Sequence, residues 1–153
     1  MNPQILEALC TDFTAIYQCD LIQDTIDIIR FDKGTHTDMA IQTMDPYTLH
    51  SFHKMIQYFE NLYIQDSAQE SLWKEFEPQA LMEKLNDNPI YCYHCRLKPN
   101  QNGNEYHSFR AIKTNASTSS FEVVIGVKVM DDLMEKQYKN EKRLQQLLEE
   151  KKH

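Results

Sequence analysis

The chain has 153 residues, with 16 Lys plus Arg against 23 Asp plus Glu and a net charge of −7. That length suits one domain, and 41% hydrophobic with 10% aromatic residues is the composition of a globular protein, not of a disordered tail. The acidic balance argues against nucleic acid or an anionic membrane as partner, since both need a basic footprint.

Pro3, Ile5, Leu6 and Leu9 predict a short amphipathic helix over 1–12, with Pro tolerated in its first turn. The same segment lacks a basic region followed by a long apolar core, so it is not a secretory signal. No later run approaches the ~18 apolar residues of a membrane span. A cytoplasmic protein without direct membrane contact is expected, with Cys10, Cys19, Cys92 and Cys95 as buried reduced thiols.

Phe13, Ala15, Tyr17, Cys19 and Leu21 alternate with polar residues, the pattern of a half-buried strand. Residues 25–31 repeat it less cleanly, which predicts a hairpin through 22–24, and Asp32-Lys33-Gly34 closes the second strand. Residues 36–44 have no strong period and read as loop that includes a helical turn. Asp45-Pro46 opens a helix whose buried stripe is Phe52, Met55, Ile56, Phe59, Leu62 and Tyr63. Ser67 to Glu70 has the form of a capping box and predicts a second helix with Leu72, Trp73 and Phe76. Pro78 begins a third, carrying Leu81, Met82 and Leu85 and ending at 86–89. Strands are expected over 90–98, 105–113 and 121–129, the first two joined by a turn at Asn102-Gly103. Two strands, helices, then three antiparallel strands make an α+β domain with a five-stranded antiparallel sheet and helices on one face.

Several local matches point to a family. Ile5 to Asp12, followed by Ala15-Ile16-Tyr17 and Asp20-Leu21, resembles the opening of PAS domains attached to bacterial diguanylate cyclases (GGDEF proteins) and histidine kinases. Tyr63-Ile64-Gln65-Asp66 stands where that family has a Val-His-Pro-Asp-type step. Cys95-Arg96, the Gly103 turn and Tyr106 to Arg110 are similar to its Tyr-Arg, turn and aromatic-strand pattern. Val124-Ile125-Gly126-Val127 followed by Asp131-Asp132 resembles the approach to its exit motif, with Met134 where a Thr would complete it. The resemblance covers about residues 5–137. It implies a PAS-like sensor domain over 13–130 and a signalling helix over 131–153, with Asp131, Asp132 and Leu133 in signal transmission.

The tail carries Met130, Leu133, Gln137, Asn140, Leu144 and Leu147 at steps of three and four, a short heptad seam. A homodimer is therefore expected, with a downstream output domain beyond residue 153. The alternative is a C-terminal helix folded back on its own sheet. A ligand pocket, if present, is expected between the sheet and the long helix. Tyr17, Cys19, Tyr91, Tyr93 and Phe109 are its candidates from the sheet, and Phe52, Ile56 and Phe59 from the helix. A buried tyrosine hydroxyl needs a partner, and a small polar ligand could supply it.

Other chemistry is weaker. Cys92 and His94 share one face of a strand while Cys95 points to the other, so they do not converge as zinc ligands. His50 and His53 flank a buried stripe, where histidines are usually partly exposed, which leaves little case for haem. No phosphate-cradling or nucleophilic motif is present among the three glycines and scattered Ser, His and Asp. The expected function is a non-enzymatic sensory module with an unidentified cofactor or ligand. A ligand-free dimerisation module and a small cone-shaped α+β enzyme remain the alternatives.

Overall fold

The computed structural model describes residues 13–151; the helix expected over 1–12, Cys10 and the last two residues lie outside the described residues. Strands β1 (Ala15–Asp20) and β2 (Thr25–Phe31) pair antiparallel. Asp20 turns the chain between them, its Oδ1 accepting the N–H groups of Ile22 and Gln23, each at 3.0 Å. Five helices then cross over: α1 (His36–Ile41), α2 (Pro46–His50), α3 (Phe52–Tyr63), α4 (Leu72–Phe76) and α5 (Pro78–Asp87). Strands β3 (Ile90–Arg96), β4 (Tyr106–Ala116) and β5 (Phe121–Val129) complete one sheet in the order β2-β1-β5-β4-β3, every neighbouring pair antiparallel.

The last strand in sequence is thus the central one, and its composition explains the place. Val123, Ile125 and Val127 are buried toward the helices, while Val124 and Gly126 are buried on the opposite face. Phe13 lies over Gly126 on that outer face: a Cβ there would sit 2.7 Å from the ring. Phe13, Ile16 and Val124 form a small outer cluster. The main core lies on the inner face, where Tyr17, Phe109 and Ile125 meet Phe52, Met55 and Phe59 of α3, Phe76 of α4 and Leu81 and Leu85 of α5. The α+β class, the five-stranded antiparallel sheet and the three-strand return agree with the sequence reading.

Four expectations are corrected. The helix expected to run on from Asp45 breaks at Ser51, whose backbone is extended (φ −110°, ψ 122°). The cause is Asp24 in the β1–β2 turn, held at φ 57°. Its carbonyl accepts the N–H of Phe52 at 3.4 Å and its Oδ1 the N–H of His53 at 2.8 Å, so the turn caps α3 from outside. Residues 36–41 form a six-residue helix, longer than the single turn expected in that loop, begun by Thr35, whose hydroxyl accepts the Asp38 N–H at 3.3 Å. The Ser67–Glu70 box starts no helix; Ser71 is the cap of α4, accepting the Lys74 N–H at 3.0 Å. Finally, Cys19 and Cys95 are buried but Cys92 is exposed. Strand β4 also runs on to Ala116 past a bulge between Lys113 and Asn115.

Candidate functional site

The interior between sheet and helices contains a pocket lined by Tyr17, Ile26, Met55, Ile56, Phe59, Leu72, Phe76, Phe109 and Ile125, with about 20 Å³ of free space. That is about the room one water needs, far below the ~300 Å³ at which small-molecule sites begin. Four of the eight predicted pocket residues, Tyr17, Ile56, Phe59 and Phe109, do line it. Cys19 and Phe52 are buried in the same core without facing the free space. Tyr91 and Tyr93 lie farther along β3, where they pack on Phe76. Sequence reasoning missed Phe76 as the filler, although its place in an apolar helical stripe was visible. Its ring stands 6.0 Å from Phe109, 5.9 Å from Tyr91 and 6.3 Å from Tyr93.

The tyrosine hydroxyls find their partners inside the chain. Tyr17 is hydrogen-bonded to the Thr37 hydroxyl, Tyr91 donates to the Glu75 carboxylate, and Tyr93 accepts the Ser71 N–H at 3.1 Å. Burial pushes all three well above the usual tyrosine range; the Glu75 carboxylate adds to this at Tyr91. Lys84 donates to the same Glu75 carboxylate at 2.8 Å. Each of these hydroxyls thus already has a hydrogen-bond partner within the chain.

Two other arrangements involve catalytic residue types. Ser51 Oγ donates to Asp24 Oδ2 at 2.6 Å, and His53 Nδ1 lies 2.6 Å from the same oxygen. Burial opposes ionisation of Asp24, but the bonds from Ser51 and from the His53 main chain outweigh it and hold the carboxyl below its usual range. Serine and carboxylate meet on the same imidazole nitrogen, so the cluster has the geometry of a helix cap and not of a proton relay. His36 and His107 are buried with ring centroids 4.9 Å apart, their nitrogens bonded to the carbonyls of Lys98 (2.6 Å) and Glu105 (2.9 Å). On β3, Cys92 is exposed and Cys95 buried, as strand alternation requires.

Helix α6 (Asp132–Lys151) leaves the centre of the sheet directly from β5. Met130 anchors that exit: its side chain is buried and its N–H donates to the Tyr106 carbonyl at 3.0 Å. Asp131 caps the helix, its Oδ1 accepting the Met134 N–H at 2.8 Å, and Asp132 adds negative charge to the first turn, where the helix dipole favours it. The predicted transmission residues therefore sit at the helix start, with Leu133 65% exposed. Leu144, Leu147 and Leu148 are 60%, 48% and 60% exposed. With about 3.6 residues per turn, Leu133, Leu144 and Leu147 fall on the side of α6 roughly opposite Tyr138, and Leu148 lies on the flank between.

Tyr138 was missed in the sequence and is the one buried side chain of α6. Its hydroxyl donates to Glu70 Oε1, while Glu70 Oε2 accepts the Arg96 N–H at 2.8 Å. Its ring meets Tyr106 edge to face at 5.8 Å, and Arg96 and Lys139 cover the Tyr106 ring at 5.4 and 4.8 Å. Burial, reinforced by the Glu70 carboxylate, pushes Tyr138 far above the usual tyrosine range, so it remains a donor at any working pH. The sole aromatic residue between 132 and 151 was the available clue.

On the outer face of the sheet, Ile16, Gln18, Ile29, Thr114, Asn115, Glu122 and Val124 line a broad depression of about 480 Å³. No helix among the described residues is long and apolar enough to cross a membrane. Comparison of the chain with family models, with curated proteins and with solved structures gives no match in any of the three.

Proposed function

We propose that the chain is a non-enzymatic, cytoplasmic sensory module of the PAS type that acts as a homodimer through α6. In the full-length protein it would relay a change in dimer packing to an attached output domain, such as a diguanylate cyclase or histidine kinase. The strand order, with two strands entering, a helical crossover and a three-strand return that places β5 at the centre, supports this reading. The observation that carries it is the leucine face of α6. Leu133, Leu144, Leu147 and Leu148 stay exposed on a helix continuous with the central strand. A seam shorter than three to four heptads gives a weak coiled coil, which two packing arrangements can share.

The nearly filled interior favours a partner or a change in packing over a preformed small-molecule cavity as the input. It also favours the second reading, a ligand-free dimerisation module, because both use α6 in the same way. Sedimentation velocity on the full chain and on a Leu144→Glu/Leu147→Glu variant tests the shared core of the two. Both substitutions fall on exposed positions, so each variant subunit should keep its fold, and any fall in urea midpoint should track the loss of association. The parent is expected to self-associate reversibly and the variant to sediment as a monomer. Monomers in both samples at matched concentration overturn the proposal.

A further inference from the structure

Helix α6 has two faces with different tasks. The leucine face is exposed, and another side is held to the domain by one buried residue, Tyr138, with Lys139 lying over the Tyr106 ring beside it. The attachment reaches three separate elements. Glu70 belongs to the 66–71 connection, Arg96 to the end of β3 and Tyr106 to the start of β4. Glu70 is itself 7% exposed, and its two carboxylate oxygens are divided between the Tyr138 hydroxyl and the Arg96 main chain. A carboxylate so buried has a strong need for both donors.

We propose that the Tyr138–Glu70 contact is a latch that holds α6 docked on the end of the β3–β4 hairpin and so fixes the direction in which the leucine face is presented. The inference rests on the reading of α6 as the output element. Tyr138 is a positioning residue in this scheme: it touches no partner chain but sets the angle at which one is met. Beyond Tyr138 the helix has no buried side chain, so releasing one hydroxyl and one ring frees it without opening the sheet. Once undocked, a polar helix of this length frays in water, because its stability depends on packing more than on propensity. Release thus changes both the direction and the order of the output helix. Anything that competes for the Glu70 carboxylate, or displaces the 66–71 connection, trips the latch.

Hydrogen exchange read by mass spectrometry over residues 132–147 tests this in the monomeric Leu144→Glu/Leu147→Glu background, where no second copy protects the helix. Tyr138→Phe keeps the ring and removes the donor; Tyr138→Ala removes both. Expected are increases of about tenfold and about a hundredfold in helix exchange, with β4 and β5 within about twofold of the parent. Glu70→Gln keeps one acceptor for two donors and is expected to fall between parent and Tyr138→Ala. Lys136→Ala, on the same helix outside the latch, is expected to change nothing. The proposal is overturned if helix exchange in Tyr138→Ala matches Lys136→Ala, or if β4 and β5 rise with the helix, which would make Tyr138 ordinary core. A parent chain that never dimerises would defeat the functional reading and leave this measurement intact.

Discussion

Phe76 is the side chain on which the interior closes, and its removal provides a quantitative test of how full that interior is. The ring is 1% exposed, lines a pocket with about 20 Å³ free, and touches three other rings. Phe→Ala in a core costs about 3–5 kcal/mol, the larger values belonging to sites that cannot collapse. Here all three neighbouring rings, Tyr91, Tyr93 and Phe109, stand on paired strands, with Tyr91 also tied to Glu75, so the upper part of that range applies. With a urea slope of about 2 kcal/mol per molar, the midpoint of Phe76→Ala should fall by about 2 M. Such a loss is large against the roughly 5–15 kcal/mol of a typical domain, so Phe76→Leu serves as the milder companion. The vacated space, on the order of 100 Å³ and apolar, is of the kind that admits benzene. Urea titrations with and without benzene should therefore show stabilisation of Phe76→Ala and none of the parent. A loss below about 1.5 kcal/mol, or equal stabilisation of both proteins by benzene, would refute the filled-interior account.

Burial holds His107 down to about 4, against its bond to the Glu105 carbonyl and with a further push from His36, which is itself lowered by burial. Below about pH 6.5 the unfolded chain binds a proton that the folded one refuses, so stability falls as pH drops from about 6.5 to 4. The gap of about 2.5 pH units corresponds to roughly 3 kcal/mol at pH 4 from His107 alone. At lower pH the carboxyls of Asp20, Asp24 and Glu75, all held below their usual range, extend the decline. Urea midpoints across this window should fall less steeply in His107→Phe than in the parent; parallel slopes would contradict the assignment. Gly34 and Gly103 both have positive φ, 81° and 80°. A Cβ at Gly103 meets nothing, so Gly103→Ala should cost about 1 kcal/mol for the backbone alone. At Gly34 it would lie 2.5 Å from Asn102 Oδ1, in a side chain that donates to the Lys33 carbonyl at 2.9 Å, and about 2–3 kcal/mol is expected. Equal losses would show that the Asn102 side chain moves aside freely.

What the sequence disclosed and what it concealed divide along one physical line. Strand alternation and helical stripes are local, and they located all five strands and the packing faces of α3 and α5. The break at Ser51 was hidden because its cause, Asp24, lies 27 residues earlier and acts through space. Glu70 looked like half of a local capping box; in the fold its carboxylate is committed to Arg96 and Tyr138 instead. Glu60 gave no sign of its role, yet its carboxylate accepts the Ser71 hydroxyl and the Leu72 N–H, each at 2.7 Å. Apolar periodicity identified Tyr17, Ile56, Phe59 and Phe109 as inward residues, but the free space they enclose depends on side-chain volumes summed across elements. The heptad pattern likewise found Leu133, Leu144 and Leu147 and passed over Tyr138, which lies off the seam.

The way α6 is anchored has a mechanical corollary. Beyond Tyr138, as far as Lys151, no side chain of the helix is buried in the domain. At about 1.5 Å per residue that is a lever arm of about 20 Å. A tilt at its base of about 15°, the size of known subunit rotations, carries the far end about 5 Å, close to one helical turn. Measured from the Asp131 cap, Tyr138 lies about 10 Å along the helix and Lys151 about 30 Å, so any shift beside Glu70 is multiplied about threefold at the far end by length alone.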